Sequence, residues 1–134
     1  MEAIIHKIDR DAIKAELTEE RLLRRTNRLD NEIYVVDYQN APMTMREIGR
    51  LREHAFRDAG GGTGKSCDID EFDTMQPPCR QLIVWDPVDE EIIGGYRFIL
   101  GEDVHIGNDG LPHIATSHMF RFSERFLRDM LPYT

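Results

Sequence analysis

Lysine is scarce in this chain. Only Lys7, Lys14 and Lys65 occur among 134 residues, so most of the positive charge is arginine. The net charge of −8 excludes a general nucleic-acid binder, which needs a basic surface to displace counterions. Arginine in place of lysine suits fixed, forked contacts with carboxylates or phosphates. Cysteine is sparse too: Cys67 and Cys79 form no CxxC, and no paired Cys or His spacing supports a zinc site. Without an export signal, both are expected as free thiols in a reducing cytosol. Long apolar runs are missing. The opening MEAIIHKIDRDAIKAEL is acidic from its second residue and reads as neither signal peptide nor membrane span. The expectation is a cytoplasmic protein, with peripheral contact at the inner membrane face left open.

What is present suffices for one domain with a hydrophobic core: 40% of the residues are apolar and 31% charged. Residues 1–31 read as a helical extension, with Thr18 placed to cap a short helix beginning Glu19-Glu20-Arg21. Arg21, Arg24, Arg25 and Arg28 form either a solvated face or a docking face for an acidic partner. Residues 32–134 read as the main domain. Ile33 to Tyr38 predicts a strand. From Met43 to Ala59, Met45, Ile48, Leu51, Ala55 and Phe56 recur at helical spacing, with Arg46, Glu47, Arg50, Glu53 and Arg57 on the other side. Gln81–Asp86 and Glu91–Leu100, joined by a tight turn, predict an antiparallel hairpin. Gly94-Gly95 inside its second strand points to a bulge or a close backbone approach. Ser117 is placed to cap a last helix that turns Phe120, Phe122, Phe126, Leu127, Met130 and Leu131 inward and leaves Arg121, Arg125 and Arg128 outside. The order helix, strand, helix, strand, strand, helix defines an α+β (α/β layered) class.

Chemistry concentrates in Ala59–Thr74, AGGGTGKSCDIDEFDT, with four glycines, one lysine and four carboxylates. Its first half fits the loose [A/G]xxxxGK[S/T] phosphate loop. That motif requires a strand before it and a helix after Lys65-Ser66. Here a helix precedes and carboxylates follow, so nucleotide binding ranks third among the readings and the glycines read as a mobile connector. The acidic half lacks the Gly and Glu of a helix–loop–helix calcium loop, because those places hold Asp73 and Cys79. It also lacks the Thr of a phosphoaspartate motif. No metal is assigned, and a solvated acidic loop is the plain alternative.

Arg52 and Phe56, then Asp70 and Asp73, then Gly94 and Arg97 follow the order R-x-x-x-F, D-x-x-D, G-x-x-R. This resembles one branch of the GNAT acyltransferases: the hemolysin-like N-acyltransferases of ornithine- and glycine-lipid synthesis, related to acyl-homoserine-lactone synthases. The resemblance covers roughly residues 33–131. It implies the N-terminal part of a GNAT-like fold, with a mixed or antiparallel sheet flanked by helices. It also implies transfer of a fatty acyl group from acyl-carrier protein, or acyl-CoA, to the amine of an amino acid or lyso-lipid precursor, with no bound cofactor. Asp70 and Asp73 would hold the ammonium and assist its deprotonation, with Arg52 and Arg97 positioning those carboxylates. Phe56, Phe72, Trp85 and Tyr96 are the expected substrate-side aromatics. The branch also carries a further strand with a Glu and an Arg, absent before Thr134, so the chain reads as a fragment or as a natural truncation. The competing function is a non-catalytic module that forms a homodimer through its open sheet edge.

Overall fold

Hydrophobic alternation in three segments decides the architecture. In the computed structural model, which describes residues 1–134, four strands pair in sequence order into one antiparallel sheet. They are β1 (Leu22–Arg25), β2 (Glu32–Asp37), β3 (Arg80–Asp86) and β4 (Glu91–Phe98). Central β3 buries every second side chain, Gln81, Ile83 and Trp85. That period of two is the signature of a strand with one packed face. Helices α1 (Arg10–Glu16) and α2 (Pro42–Asp58) cover that face, and α3 (Glu71–Thr74) is a single turn. Ile13, Tyr34, Val36, Ala41, Met45, Ile48, Ile83 and Trp85 form the core between helices and sheet.

Residues 1–31 are more than helical. β1 joins the sheet against β2, and Ile13 of α1 enters the core. Thr18 makes no capping hydrogen bond; a single 3₁₀ turn follows it and leads into β1. Glu16 of α1 instead caps α2. Its carboxylate accepts from the Met43 and Thr44 amides and from the Thr44 hydroxyl, supplying negative charge where the helix dipole favours it.

The predicted hairpin is present, with Asp86 accepting from the amides of Val88 and Asp89 in the turn. Both explanations of Gly94-Gly95 hold. Val84 pairs with Gly94 but Trp85 pairs with Ile92, so Ile93 is bulged out of the ladder. A Cβ on Gly95 would lie 2.5 Å from the Leu82 carbonyl oxygen.

The expected last helix is corrected. Residues 115–118 form a 3₁₀ turn, the chain from Phe120 to Ser123 has no regular structure, and Phe126–Met130 wind as a π-helical turn. Helical spacing therefore never gathers the apolar side chains on one face. Leu131 is buried, whereas Met119, Phe120 and Met130 are exposed.

Gly95→Ala is expected to destabilise the fold by about 1–3 kcal/mol through overpacking against a strand carbonyl. Gly94→Ala, where a Cβ meets nothing within 4 Å, should cost less. Paired urea unfolding curves of the two variants measure the difference.

Candidate functional site

The return of the chain after α2 builds the site. α2 ends at Asp58, and Gly60, Gly62 and Gly64 take positive φ, as the triple-glycine terminus predicts. The loop is not a free connector, because it closes around Glu53. The fully buried Glu53 carboxylate accepts from Thr63 N at 3.0 Å, Thr63 Oγ1 at 2.5 Å, Gly64 N at 3.0 Å and Arg57 Nε at 2.6 Å. Backbone amides that a phosphate loop would turn towards a nucleotide are here taken up by the protein's own carboxylate. The Thr63 hydroxyl is the strongest influence. With Arg57 and the two amides it outweighs burial and lowers the Glu53 carboxyl from 4.5 to about 2. Part of the charged side of α2 is taken out of solvent: Glu47, Arg50 and Glu53 are buried, while Arg46 stays exposed. The N-terminal segment covers them, with Glu2 N bonded to Gly64 O, Ile5 N to Ser66 O and Ile8 N to Glu47.

The loop then runs back along α2. Asp68 N donates to Gly49 O at 3.0 Å, an approach that a side chain at 49 would block, since a Cβ there would sit 2.6 Å from Cys67 Sγ. This run delivers Asp70 as the N-cap of α3. Asp70 accepts from the Phe72 and Asp73 amides, while the Asp73 carboxylate accepts from Asp70 N, closing a capping box.

Four sequence-predicted residues converge on this turn. Arg52 of α2 donates to Asp73 Oδ2 at 2.9 Å, and Arg97 of β4 donates to Asp70 Oδ1 at 2.7 Å and lies 3.3 Å from Asp73 Oδ1. Gln81, directly across the β3–β4 ladder from Arg97, closes the network. Its amide donates to Asp73 Oδ1 and accepts from Arg52 Nη2, each at 2.8 Å. Gln81 is 1% exposed and Asp73 is 0% exposed. Asp73 is therefore fully engaged inside the protein. Asp70 differs: its side chain is 41% exposed, and its Oδ2 receives no hydrogen bond from the protein. Burial raises the proton affinity of Asp70, but hydrogen bonding and charge from Arg97 prevail and hold its carboxyl below the usual range.

The aromatics divide. Phe56 (53% exposed) and Tyr96 (64% exposed) flank the opening that Asp68, Asp70, Arg52 and Arg97 line. Both also border an apolar groove of about 220 Å³ between α2 and the β3–β4 face, with Leu51, Ala55 and Ile92. Phe72 is buried, with Arg97 over its ring and His113 and His118 packed against it. Trp85 lies in the core, four residues along β3 from Gln81, about 13 Å away. Gln81 was the residue missed in the sequence, although its signal was there: an amide on the inward alternation of an otherwise apolar strand. Glu53 was hidden among the charges of α2. No helix is long and apolar enough to cross a membrane.

An antiparallel sheet with helices on one face thus carries this arginine–carboxylate network beside an apolar groove. Residues 51–131 match the acetyltransferase (GNAT) domain family, and the chain belongs to that family. Two curated relatives named glycine N(alpha)-acyltransferase, from Bacteroides thetaiotaomicron and Phocaeicola vulgatus, are 60% and 58% identical over all 134 residues. The chain spans only 40% and 41% of their lengths. No solved structure matches it.

Arg52→Ala should destabilise the fold by about 3–5 kcal/mol, because it strips a buried carboxylate and amide of their shared donor. Arg52→Lys should not restore the loss, since one ammonium lacks the fork that spans both acceptors; urea unfolding measures both. Glu53 binds its proton more weakly folded than unfolded. Its contribution to stability is thus complete above 4.5 and lost as pH falls towards 2. Glu53→Gln should flatten stability over that interval and speed amide exchange at Thr63 and Gly64 at neutral pH.

Proposed function

We propose that this chain carries the amine-binding site of an N-acyltransferase that transfers a fatty acyl group to the α-amine of glycine. GNAT acyltransferases take acyl-CoA as donor; acyl-carrier protein is the donor proposed here, and the product is an N-acylated amino acid of aminolipid synthesis. The observation that carries the reading is Asp70. It is a carboxylate held ionised by Arg97, with one oxygen free of protein donors, at an opening beside an apolar groove. An ionised carboxylate attracts an ammonium, Arg52 and Arg97 offer charge to the acceptor's carboxylate, and the groove excludes water along an alkyl chain. The two relatives named glycine N(alpha)-acyltransferase support glycine as acceptor.

Incubating the full chain with glycine and long-chain acyl-carrier protein, or acyl-CoA, should yield N-acylglycine detectable by mass spectrometry. Asp70→Asn should raise KM for glycine about tenfold or more, the loss of one charge-assisted contact. Absence of product with every donor and amine offered would reject the reading and favour the binding module.

A further inference from the structure

The stretch from Asp68 to Asp73 carries three aspartates at alternating or near-alternating places, and the fold treats each differently. Asp73 has both oxygens engaged by Arg52, Gln81, Arg97 and the Asp70 amide. Asp70 has one oxygen committed to two backbone amides and Arg97. Asp68 is fixed by its main chain alone: its N–H donates to Gly49 O, and its carbonyl accepts from Arg52 Nη1 at 3.4 Å. Its carboxylate takes no hydrogen bond from the protein, and it lines the same opening as Asp70, Arg52, Arg97 and Tyr96.

We infer that Asp68 is the general base that removes the proton from the acceptor's ammonium, while Asp70 holds that ammonium in place. The assignment rests on the acyltransferase reading above. Its physical basis is the separation of two neighbouring carboxylates into different environments, an arrangement that divides binding from proton transfer. Asp70 is stabilised as an anion by Arg97, which suits it to hold a cation and makes it a weak base. Burial pushes the Asp68 carboxyl up; Arg52 opposes that, and the negative charges of Glu53, Asp70 and Asp73 add to it. Higher proton affinity brings Asp68 closer to the amine it must deprotonate. The groups facing it are Arg52 and Glu53 from α2, Asp70 and Asp73 from α3, and Arg97 from β4.

The step balances without a further reagent. Asp68 takes one proton from the ammonium, leaving the nitrogen lone pair free. The amine attacks the thioester carbonyl and forms the C–N bond. The tetrahedral intermediate collapses with cleavage of the C–S bond, and the nitrogen's surplus proton passes to the departing thiolate. Protonated Asp68 then releases its proton to solvent, so one turnover yields amide, thiol and one proton.

The test is the pH dependence of kcat and KM for glycine in the full chain and its Asp68→Asn, Asp68→Glu and Asp70→Asn variants. Asp68→Asn should lower kcat by about 10²-fold or more at neutral pH. KM should stay within a few-fold of the parent value, and the deficit should narrow as rising pH deprotonates the free amine. Asp68→Glu should regain part of kcat, whereas Asp70→Asn should act mainly on KM. The Asp68 carboxylate holds no protein hydrogen bond, so Asp68→Asn should melt with the parent. Unchanged kcat and pH profile in Asp68→Asn would overturn the base assignment and leave the acyltransferase reading intact. A loss in Asp68→Asn confined to KM would reassign Asp68 to binding. An inactive parent chain would overturn both.

Discussion

The Arg52 guanidinium spans two acceptors, Asp73 and Gln81, that lie on different elements, and the geometry of the site depends on that span. α2 supplies the donor, the single turn of α3 supplies the carboxylate, and central β3 supplies the amide. An ion pair this deeply buried gains little net stability over an apolar substitute, because desolvation offsets the attraction. What it provides is position. With Asp73 held at both oxygens, the capping box of α3 is held too, and Asp70 is presented at the opening. Arg97, across the ladder from Gln81, engages both aspartates and ties β4 to the same turn.

The glycine-rich loop solves a related problem with the same chemistry turned inward. A run of glycines with positive φ exposes several amide N–H groups, and such a concavity binds an anion. Here the anion is Glu53 of the preceding helix, so the loop folds around an internal carboxylate rather than a substrate phosphate. Packing then continues along the bare backbone at Gly49, which lets the acidic segment lie against α2.

Much of the frame was legible in the chain. The amphipathic α2, the strands β2, β3 and β4, the hairpin and the two roles of Gly94-Gly95 all follow from apolar period and turn chemistry. Arg52, Asp70, Asp73 and Arg97 were singled out by the family resemblance, and they do meet. The misses share a cause. β1, the burial of Glu47, Arg50 and Glu53, and the irregular C-terminal segment depend on what packs against them, which local pattern does not encode. A charge run on a helix reads as solvated until another segment covers it, and here residues 1–8 and the glycine loop do so. Trp85 was attractive as an aromatic near the motif, but its place on the alternation of β3 sends it to the core.

By itself the sequence determined β2, β3 and β4, the long helix and the clustering of carboxylates after the glycine run, because these are set by periodicity and short-range spacing. Only the tertiary structure decided how the three aspartates differ. Their free oxygens are set by which arginine or amide stands within hydrogen-bond reach. Apart from the amides of the turn itself, those partners come from α2, β3 and β4, residues distant in the chain that the sheet and its covering helix bring together.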